Sequence, residues 1–161
     1  MSALLKPMTV TLRPMLERDV PEVIEIERQA YDFPWSKGVM IDCIRLGYIS
    51  WVLEHERLIG AYSFMTVAAG EAHLLNLCVK PRWQGRRFGR TLLEHLLEDA
   101  RTRGAETMFL EVRPSNGLAR QLYARAGFKE VGLRPDYYPA HEGREDALML
   151  ALPLPARGLR F

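Results

Sequence analysis

Residues 73–97 read HLLNLCVKPRWQGRRFGRTLLEHLL, and the pattern of this segment is the most informative about the fold. It begins with a mostly apolar run, His73 to Val79, that ends at Lys80-Pro81, where proline cannot continue a strand ladder. Leucines then recur at a spacing that places them on one face of a helix, at Leu92, Leu93, Leu96 and Leu97. The pattern predicts a strand, a basic turn and a helix in succession.

The predicted turn, Gln84 to Arg90, is rich in glycine and arginine. Gly85 and Gly89 let backbone N–H groups turn outward, and three arginines add fixed positive charge. Because the first N–H groups of a helix have no partner within it, such a loop suits a phosphate or pyrophosphate. The loop lacks the Lys-Ser/Thr pair of a P-loop and the G-x-G-x-x-G spacing of a dinucleotide fingerprint. The residues alone equally allow two turn glycines within a solvated basic patch.

Length and composition narrow the class of protein. A chain of 161 residues fits one domain with its own core, and a net charge of +2 argues against a general nucleic-acid binder. Cys43 and Cys78 lack CxxC spacing or histidine companions, which argues against a disulfide scaffold and a metal site and fits a reduced, cytoplasmic setting. The sequence shows no signal peptide or apolar run of membrane length, so no membrane partner is expected.

The remaining patterns predict a chain that alternates helices and strands. They give, in order, a strand at Thr9–Arg13, a helix from Asp19 to about Tyr31, a helix at Lys37–Leu46, strands at Tyr48–Glu54, Leu58–Ala68 and His73–Val79, the leucine-lined helix, a strand at Thr107–Val112, a short helix that ends at Gly127, and strands at Phe128–Leu133 and Ala147–Leu152. Asp19 and Ser36 are predicted N-caps, and Arg134–Asp146 is predicted to be a long loop. This order predicts a mixed sheet with helices on both faces, in an α/β or α+β arrangement.

Four patches of the chain resemble the GNAT acetyltransferases. Gln84–Arg90 resembles the Q/R-x-x-G-x-G/A signature with which these enzymes hold the pyrophosphate of acetyl-CoA, although Arg87 replaces the middle glycine. Residues 116–128 match the family pattern N-x-x-A-x-x-L-Y-x-x-x-G-F. FPWS at 33–36 and YYP with GREDA at 137–147 resemble the ribosomal-protein alanine N-acetyltransferases, the RimI type of this family. The resemblance covers about residues 9–153 of a single predicted domain, 1–161.

This resemblance implies a fold, a reaction and a set of site residues. The fold is a mixed α/β sheet of about seven mostly antiparallel strands with helices on both faces. The reaction is metal-free transfer of an acetyl group from acetyl-CoA to the N-terminal α-amine of a protein, the alanine of small-subunit ribosomal protein eighteen, by direct attack in a ternary complex. Glu111 would be the general base and Tyr123 the general acid. Acetyl-CoA contacts are implied at Leu77, Cys78, Val79, Gly85, Arg86, Arg87, Phe88, Gly89, Arg90 and Asn116.

The chemistry of the catalytic pair agrees with these roles and leaves alternatives. Glu111 ends a strand between apolar neighbours, where partial burial is expected to raise its pKa; it could instead pair with Arg113 or Arg86. A neutral Tyr123 can protonate a departing thiolate, but it could also be a core aromatic. The backbone of residues 77–79 can pair with the amide-bearing arm of coenzyme A like a further strand.

The acceptor side is predicted from aromatic residues. Tyr137 and Tyr138 are expected to line the peptide entrance opposite Phe33 and Trp35, or to pin a loop by packing. The acidic residues that follow could attract a cationic N-terminus or could simply be solvated, and the histidines lack metal spacing and receive no predicted role. Two other functions stay open: an acetyltransferase for lysine side chains or small amines, and a non-catalytic acyl-CoA-binding module, which the Arg87 substitution favours.

Overall fold

The computed structural model describes residues 9–156. Its elements are β1 (Thr11–Pro14), α1 (Val20–Ala30), α2 (Lys37–Arg45), β2 (Ile49–His55), β3 (Leu58–Ala68), β4 (Glu71–Val79), α3 (Phe88–Thr102), β5 (Thr107–Val112), α4 (Gly117–Ala126), β6 (Lys129–Pro139) and β7 (Arg144–Pro153). Short 3-10 turns precede α1 and α3. The ends of the predicted domain 1–161, with the last residues of the chain, lie outside the described residues.

The described strands form one seven-stranded sheet in the order β1-β2-β3-β4-β5-β7-β6. Neighbours are antiparallel except for β4 and β5, which run parallel and are joined through α3. A parallel pair needs such a crossover, because a tight hairpin can join only antiparallel strands. The predicted mixed, mostly antiparallel sheet is therefore confirmed.

Helices cover both faces of the sheet and create two apolar layers. The predicted stripe of α3 is buried against one face, at Leu92, Leu93, Leu96, Leu97 and Ala100. Each fully buried leucine contributes about 2 kcal/mol of transfer free energy. On the other face α1 and α2 bury Val20, Val23 and Met40 against β2 and β3. Strands β3 and β4 thus lie between α3 on one side and α1 and α2 on the other.

The prediction of a long loop at Arg134–Asp146 is wrong, because most of these residues belong to β6 and β7. Only residues 140–143 turn between β6 and β7. The residues typical of a loop lie in a bulge between Arg134 and Tyr138, where Asp136 has a φ of 50°. A bulge tolerates Pro135, which has no N–H to give to a ladder.

Asp19 sits at the N-cap position of α1, but its side chain does not cap that helix. Its carboxylate accepts hydrogen bonds from both Arg13 terminal nitrogens, at 2.7 and 2.8 Å, and from the Leu16 N–H at 2.8 Å. The Arg13 guanidinium lowers the pKa of Asp19 and ties β1 to the start of α1. Ser36 does cap α2, because its hydroxyl accepts from the Val39 N–H at 3.1 Å, as predicted.

Candidate active site

Strands β4 and β5 separate halfway along the sheet and leave an opening. Their parallel pairing ends at Leu74 of β4. Just beyond it β4 carries an extra residue, Leu75, because Met65 of β3 pairs with Leu74 while Phe64 pairs with Asn76. A bulge bends the strand that contains it. The second half of β4 therefore diverges from β5.

This half of β4 turns backbone polar groups into the opening. The Lys80 N–H donates to the Gly60 carbonyl at 2.7 Å. Hydrogen-bonded pairs alternate along an antiparallel ladder, so Cys78 also bonds to β3, whereas the N–H and C=O groups of Leu77 and Val79 face away from it. Of the three predicted backbone contacts, Leu77 and Val79 can therefore serve a ligand, and the backbone of Cys78 is used within the sheet.

Buried groups that stay neutral line the same region. Tyr31, at the end of α1, donates its hydroxyl to the Leu77 carbonyl at 3.3 Å, and burial raises its pKa. Cys78 is 3% exposed, and burial raises the pKa of its thiol to about 12. Because the thiolate is the nucleophile, a thiol that stays protonated is a poor acyl carrier.

The glycine–arginine loop lies directly beyond β4. Gly85 and Arg87 both have left-handed backbone conformations, with φ values of 83° and 65°, and Arg87 is the N-cap of the 15-residue helix α3. A Cβ atom on Gly89 would lie 3.3 Å from a Val79 methyl carbon. The start of α3 therefore packs closely on the end of β4, and its unpaired N–H groups lie at that edge of the opening.

The loop also carries positive charge that the described chain does not neutralise. Arg86 and Arg87 are exposed, and neither has an acidic partner within residues 9–156, whereas Arg90 pairs within its own helix. Phe88 is 3% exposed and packs on Trp83 at 5.4 Å between ring centroids. Of the predicted loop contacts, Phe88 can therefore offer a ligand only its backbone.

Glu111 lies on β5 just past its pairing with β4, and its carboxylate is held from two sides. Nε2 of His73 lies 2.5 Å from Oε2 of Glu111, and Nε of Arg134 lies 3.5 Å from Oε1. The hydrogen bond from His73 outweighs burial and lowers the pKa of Glu111. The expected rise in this pKa is wrong, and neither of the arginines considered from the sequence is the partner.

The sheet register explains why these residues meet. His73 of β4 pairs with Phe109 of β5, and Glu111 follows Phe109 by two residues on the same face. The sequence predicted no role for His73 or Arg134. Only the strand register could have found this contact, because 38 residues separate His73 from Glu111 along the chain.

Tyr123 lies on α4 and points into the core region behind the opening. Its side chain is 6% exposed and packs edge-on against Phe128, with ring centroids 5.5 Å apart. Burial raises the pKa of Tyr123, and the neighbouring Tyr138 and Cys78 raise it further. The phenol therefore stays neutral and can donate a hydrogen bond. Asn116 caps α4 through Oδ1, which leaves its side-chain N–H groups for a ligand.

Three of the four predicted acceptor-side aromatics lie together. The Arg113 guanidinium stacks 4.4 Å from the Tyr138 ring and 5.5 Å from the Phe33 ring, so it joins the α1–α2 connection to the β6–β7 hairpin. Tyr137 contacts Tyr138 edge-on, and it is 45% exposed. Trp35 instead packs on Phe64 at 5.3 Å, so it also supports the sheet.

The nearby acidic residues are largely engaged by the protein itself. Glu145 accepts a hydrogen bond from the Ser115 hydroxyl at 2.8 Å and lies 3.5 Å from Arg113. Asp146 accepts from the Asp136 N–H at 2.9 Å. These carboxylates therefore stabilise the hairpin. Within residues 9–156 no group of three or more metal-ligating side chains could hold a metal ion, and no helix there is long and apolar enough to cross a bilayer.

Comparison with known proteins identifies close relatives. The model of the acetyltransferase (GNAT) family matches residues 12–128. The chain is 38% identical over 144 residues to the [ribosomal protein bS18]-alanine N-acetyltransferase of Escherichia coli K12, which covers 89% of this chain and 97% of the relative.

Solved structures of acetyltransferases share the fold of this chain. The crystal structure of the ribosomal-protein-S18-alanine N-acetyltransferase from Escherichia coli superposes with a TM-score of 0.85 at 37% identity, over 95% of this chain and 100% of the other. The Salmonella typhimurium protein yncA, solved with its cofactor acetyl-CoA, shares the fold with a TM-score of 0.76 at 20% identity, over 95% and 98% of the two chains.

Proposed function

The chain belongs to the GNAT acetyltransferase family and is an N-acetyltransferase, and we propose that it acetylates the N-terminal alanine of ribosomal protein bS18. The observation that carries the proposal is the opening beyond Leu74, with a basic helix start at one end and Glu111 on its border. Near-complete coverage of the Escherichia coli relative supports the choice of acceptor.

GNAT acetyltransferases use acetyl-CoA, and two sets of groups beside the opening support its binding there. The backbone groups of Leu77 and Val79 are positioned to pair with the amides of the pantetheine arm, as a peptide pairs with a sheet edge. The N–H groups at the start of α3 and the free charges of Arg86 and Arg87 suit the diphosphate. Bound there, acetyl-CoA supplies an activated thioester.

Glu111 is the general base in this proposal. An α-amine with a pKa of about 7.8 is roughly one-third neutral at about pH 7.5, whereas a lysine side chain with a pKa of about 10.4 is about a thousandth neutral. A chain terminus therefore needs only modest help to lose its proton. A carboxylate that stays ionised, as His73 and Arg134 make Glu111, attracts the ammonium group and favours its approach.

Tyr123 is the general acid. Its neutral phenol donates a hydrogen bond to the sulfur and protonates it as the carbon–sulfur bond breaks. Burial raises the pKa of Tyr123, which makes it a weaker acid, but burial also raises that of a thiol in the same region, as it does for Cys78. The proton transfer is therefore less unfavourable than the pKa of the phenol alone indicates.

The acceptor peptide binds along the surface that Phe33 forms with Tyr137 and Tyr138. These rings line one side of the molecule together with Arg113. Aromatic rings with a polar tip suit the backbone of an extended peptide. Trp35 supports this surface from beneath through its contact with Phe64.

The direct test of the acceptor is mass spectrometry of ribosomal proteins from cells that lack this chain. We expect bS18 alone to lose its N-terminal acetyl group and to regain it when the wild-type gene is restored. Restoration with Glu111→Gln should leave bS18 unmodified. An unchanged acetylation state of bS18 would contradict the proposed acceptor.

Steady-state rates separate the alternatives. The acceptors to compare are an alanine-starting peptide, the same peptide with a blocked N-terminus and an internal lysine, and spermidine. We expect transfer to the first alone. Transfer to the second or third would indicate a side-chain or small-amine acetyltransferase, and calorimetric binding of acetyl-CoA without peptide-dependent thiol release would indicate a binding module.

A further inference from the structure

The contact between His73 and Glu111 has the geometry of a catalytic carboxylate–imidazole pair. Nε2 lies 2.5 Å from Oε2, so the two side chains are in direct hydrogen-bond contact with no room for an intervening water. Because an ionised carboxylate only accepts hydrogen bonds, the proton in this bond is assigned to Nε2, which leaves Nδ1 as the second ring nitrogen available to exchange a proton. The Glu111 side chain is 10% exposed and that of His73 is 38% exposed. Glu111 is therefore the buried member of the pair, at the border of the opening, and His73 is the member in contact with solvent.

The other groups that face this pair are not suited to accepting a proton. From β6, Arg134 lies 3.5 Å from the other Glu111 oxygen, and the Tyr138 phenol interacts electrostatically with the same carboxylate. An arginine stays protonated at all working pH values, and burial raises the pKa of Tyr138 and keeps its phenol neutral. Among the described neighbours of Glu111, His73 is thus the one whose side chain offers a ring nitrogen that can accept a proton.

The reaction releases one proton to solvent. An ammonium group and a thioester become an amide, a thiol and a proton, so two protons leave the nitrogen. One reaches the sulfur through Tyr123, and the other needs a carrier. The hydrogen bond from His73 lowers the pKa of Glu111 and makes its carboxylate a weaker base, so a neighbouring group that shares the proton assists the transfer.

Resting on the acetyl transfer proposed above, we propose that His73 is the second member of the general base. Glu111 fixes the imidazole through its Nε2 proton and draws in the ammonium group, and Nδ1 holds the proton that the nitrogen releases before it passes to solvent. The net charge of the pair rises from −1 to zero as the proton is bound and returns to −1 as it leaves.

The first test replaces His73 with glutamine, whose amide N–H can still donate to Glu111 but which cannot hold the proton. The pH dependence of kcat/KM for an alanine-starting peptide is measured at saturating acetyl-CoA. We expect wild type to lose activity on the acid side with two ionisations, that of the peptide amine and that of the pair. His73→Gln should show only the amine ionisation, a plateau lower by about tenfold or more, and an unchanged KM for acetyl-CoA.

The matched control is His95→Gln, a histidine on α3 that packs on Trp51 and contacts no predicted site residue. The pH profile of kcat/KM for His95→Gln should keep both ionisations and the plateau value of wild type. If His73→Gln also keeps two ionisations, or keeps its plateau within about twofold, His73 is not part of the base.

The second test does not depend on acetyl transfer. The Glu111 carboxyl carbon is titrated by NMR in the free protein, in wild type and in His73→Leu. We expect the Glu111 midpoint to rise in His73→Leu, because the hydrogen bond that lowers its pKa is gone. An unchanged midpoint overturns the pair, whereas a raised midpoint in a protein that acetylates none of the tested acceptors would contradict the proposed function alone.

Discussion

At the scale of single residues, neighbours that are distant in sequence decide the chemistry. Glu111 would have a raised pKa if burial acted alone, but His73 reverses the direction. For Tyr123 and Cys78 burial is the largest influence, and it raises the pKa of both. The same opening therefore combines an ionised carboxylate with neutral hydroxyl and thiol groups, which suits a reaction that needs both an acceptor and a donor of protons.

Tyr123→Phe should lower kcat by about tenfold to a hundredfold, because the sulfur loses its proton donor while the ring still fills its place against Phe128. The acetyl-CoA dissociation constant, measured by calorimetry, should stay within about twofold. Tyr48→Phe removes a hydroxyl outside the predicted site and should leave kcat unchanged. A wild-type kcat for Tyr123→Phe would remove this residue from the mechanism.

Cys78→Ala should keep turnover within about threefold, because a thiol with a pKa near 12 is not an acyl carrier. Its loss should cost about 1 kcal/mol of unfolding free energy through the cavity it leaves, and buried Cys43→Ala is the matched control for that cost. Rapid-quench measurement of peptide acetylation checks the first expectation. Loss of transfer with intact acetyl-CoA binding would contradict direct attack by the amine.

Asp19→Asn should reduce the unfolding free energy by about 1–3 kcal/mol near neutral pH, because it weakens the bonds from Arg13 to a carboxylate that is 7% exposed. The folded pKa of Asp19 lies below its unfolded value. Its contribution is therefore complete above the unfolded pKa and is lost as the pH falls through the folded one. Urea unfolding at several pH values checks this. The difference between wild type and variant should shrink in acid, and a constant difference would contradict the assignment.

At the scale of elements, the turn before α3 departs from the glycine-rich pattern of its family at Arg87, which adopts a left-handed backbone conformation. Arg87 adopts a φ of 65°, a conformation that glycine takes without the steric cost that a Cβ atom brings. The left-handed conformation of Arg87 costs about 1 kcal/mol, and with it the chain gains a second arginine beside the start of α3. Arg87 therefore adds positive charge at a position where glycine would be conformationally favoured.

Arg87→Gly should change the unfolding free energy by less than about 1 kcal/mol, because relief of strain and the greater freedom of the unfolded chain oppose each other. It should weaken acetyl-CoA binding several-fold at low salt and less at high salt, as loss of an exposed charge does. Calorimetric titration at two salt concentrations measures this. Arg28→Ala removes an arginine from the exposed face of α1 and should not affect binding. Equal affinity for Arg87→Gly and wild type would show that the side chain does not contact the diphosphate.

At the scale of the whole molecule, local patterns predicted the elements well and their long-range contacts poorly. The leucine spacing of α3 and the cap at Ser36 depend on neighbouring residues, so both could be predicted. The pairing of Glu111 with His73 depends on where β4 and β5 part, and no local pattern gives that register. Only the part of the β6–β7 hairpin nearest its turn, Arg134–Asp146, is predicted as a loop, because Pro135 and Gly143 usually break strands, whereas here they lie in a bulge and a turn.

The measurement that tests the account most directly is a crystal structure of this protein with acetyl-CoA bound. We predict that the diphosphate lies against the Gly85–Arg87 turn, that the pantetheine arm pairs with Leu77 and Val79, and that the sulfur lies within hydrogen-bonding reach of the Tyr123 hydroxyl, on the side of the opening that Glu111 borders. A diphosphate bound away from the start of α3, or a sulfur out of reach of Tyr123, would contradict the account.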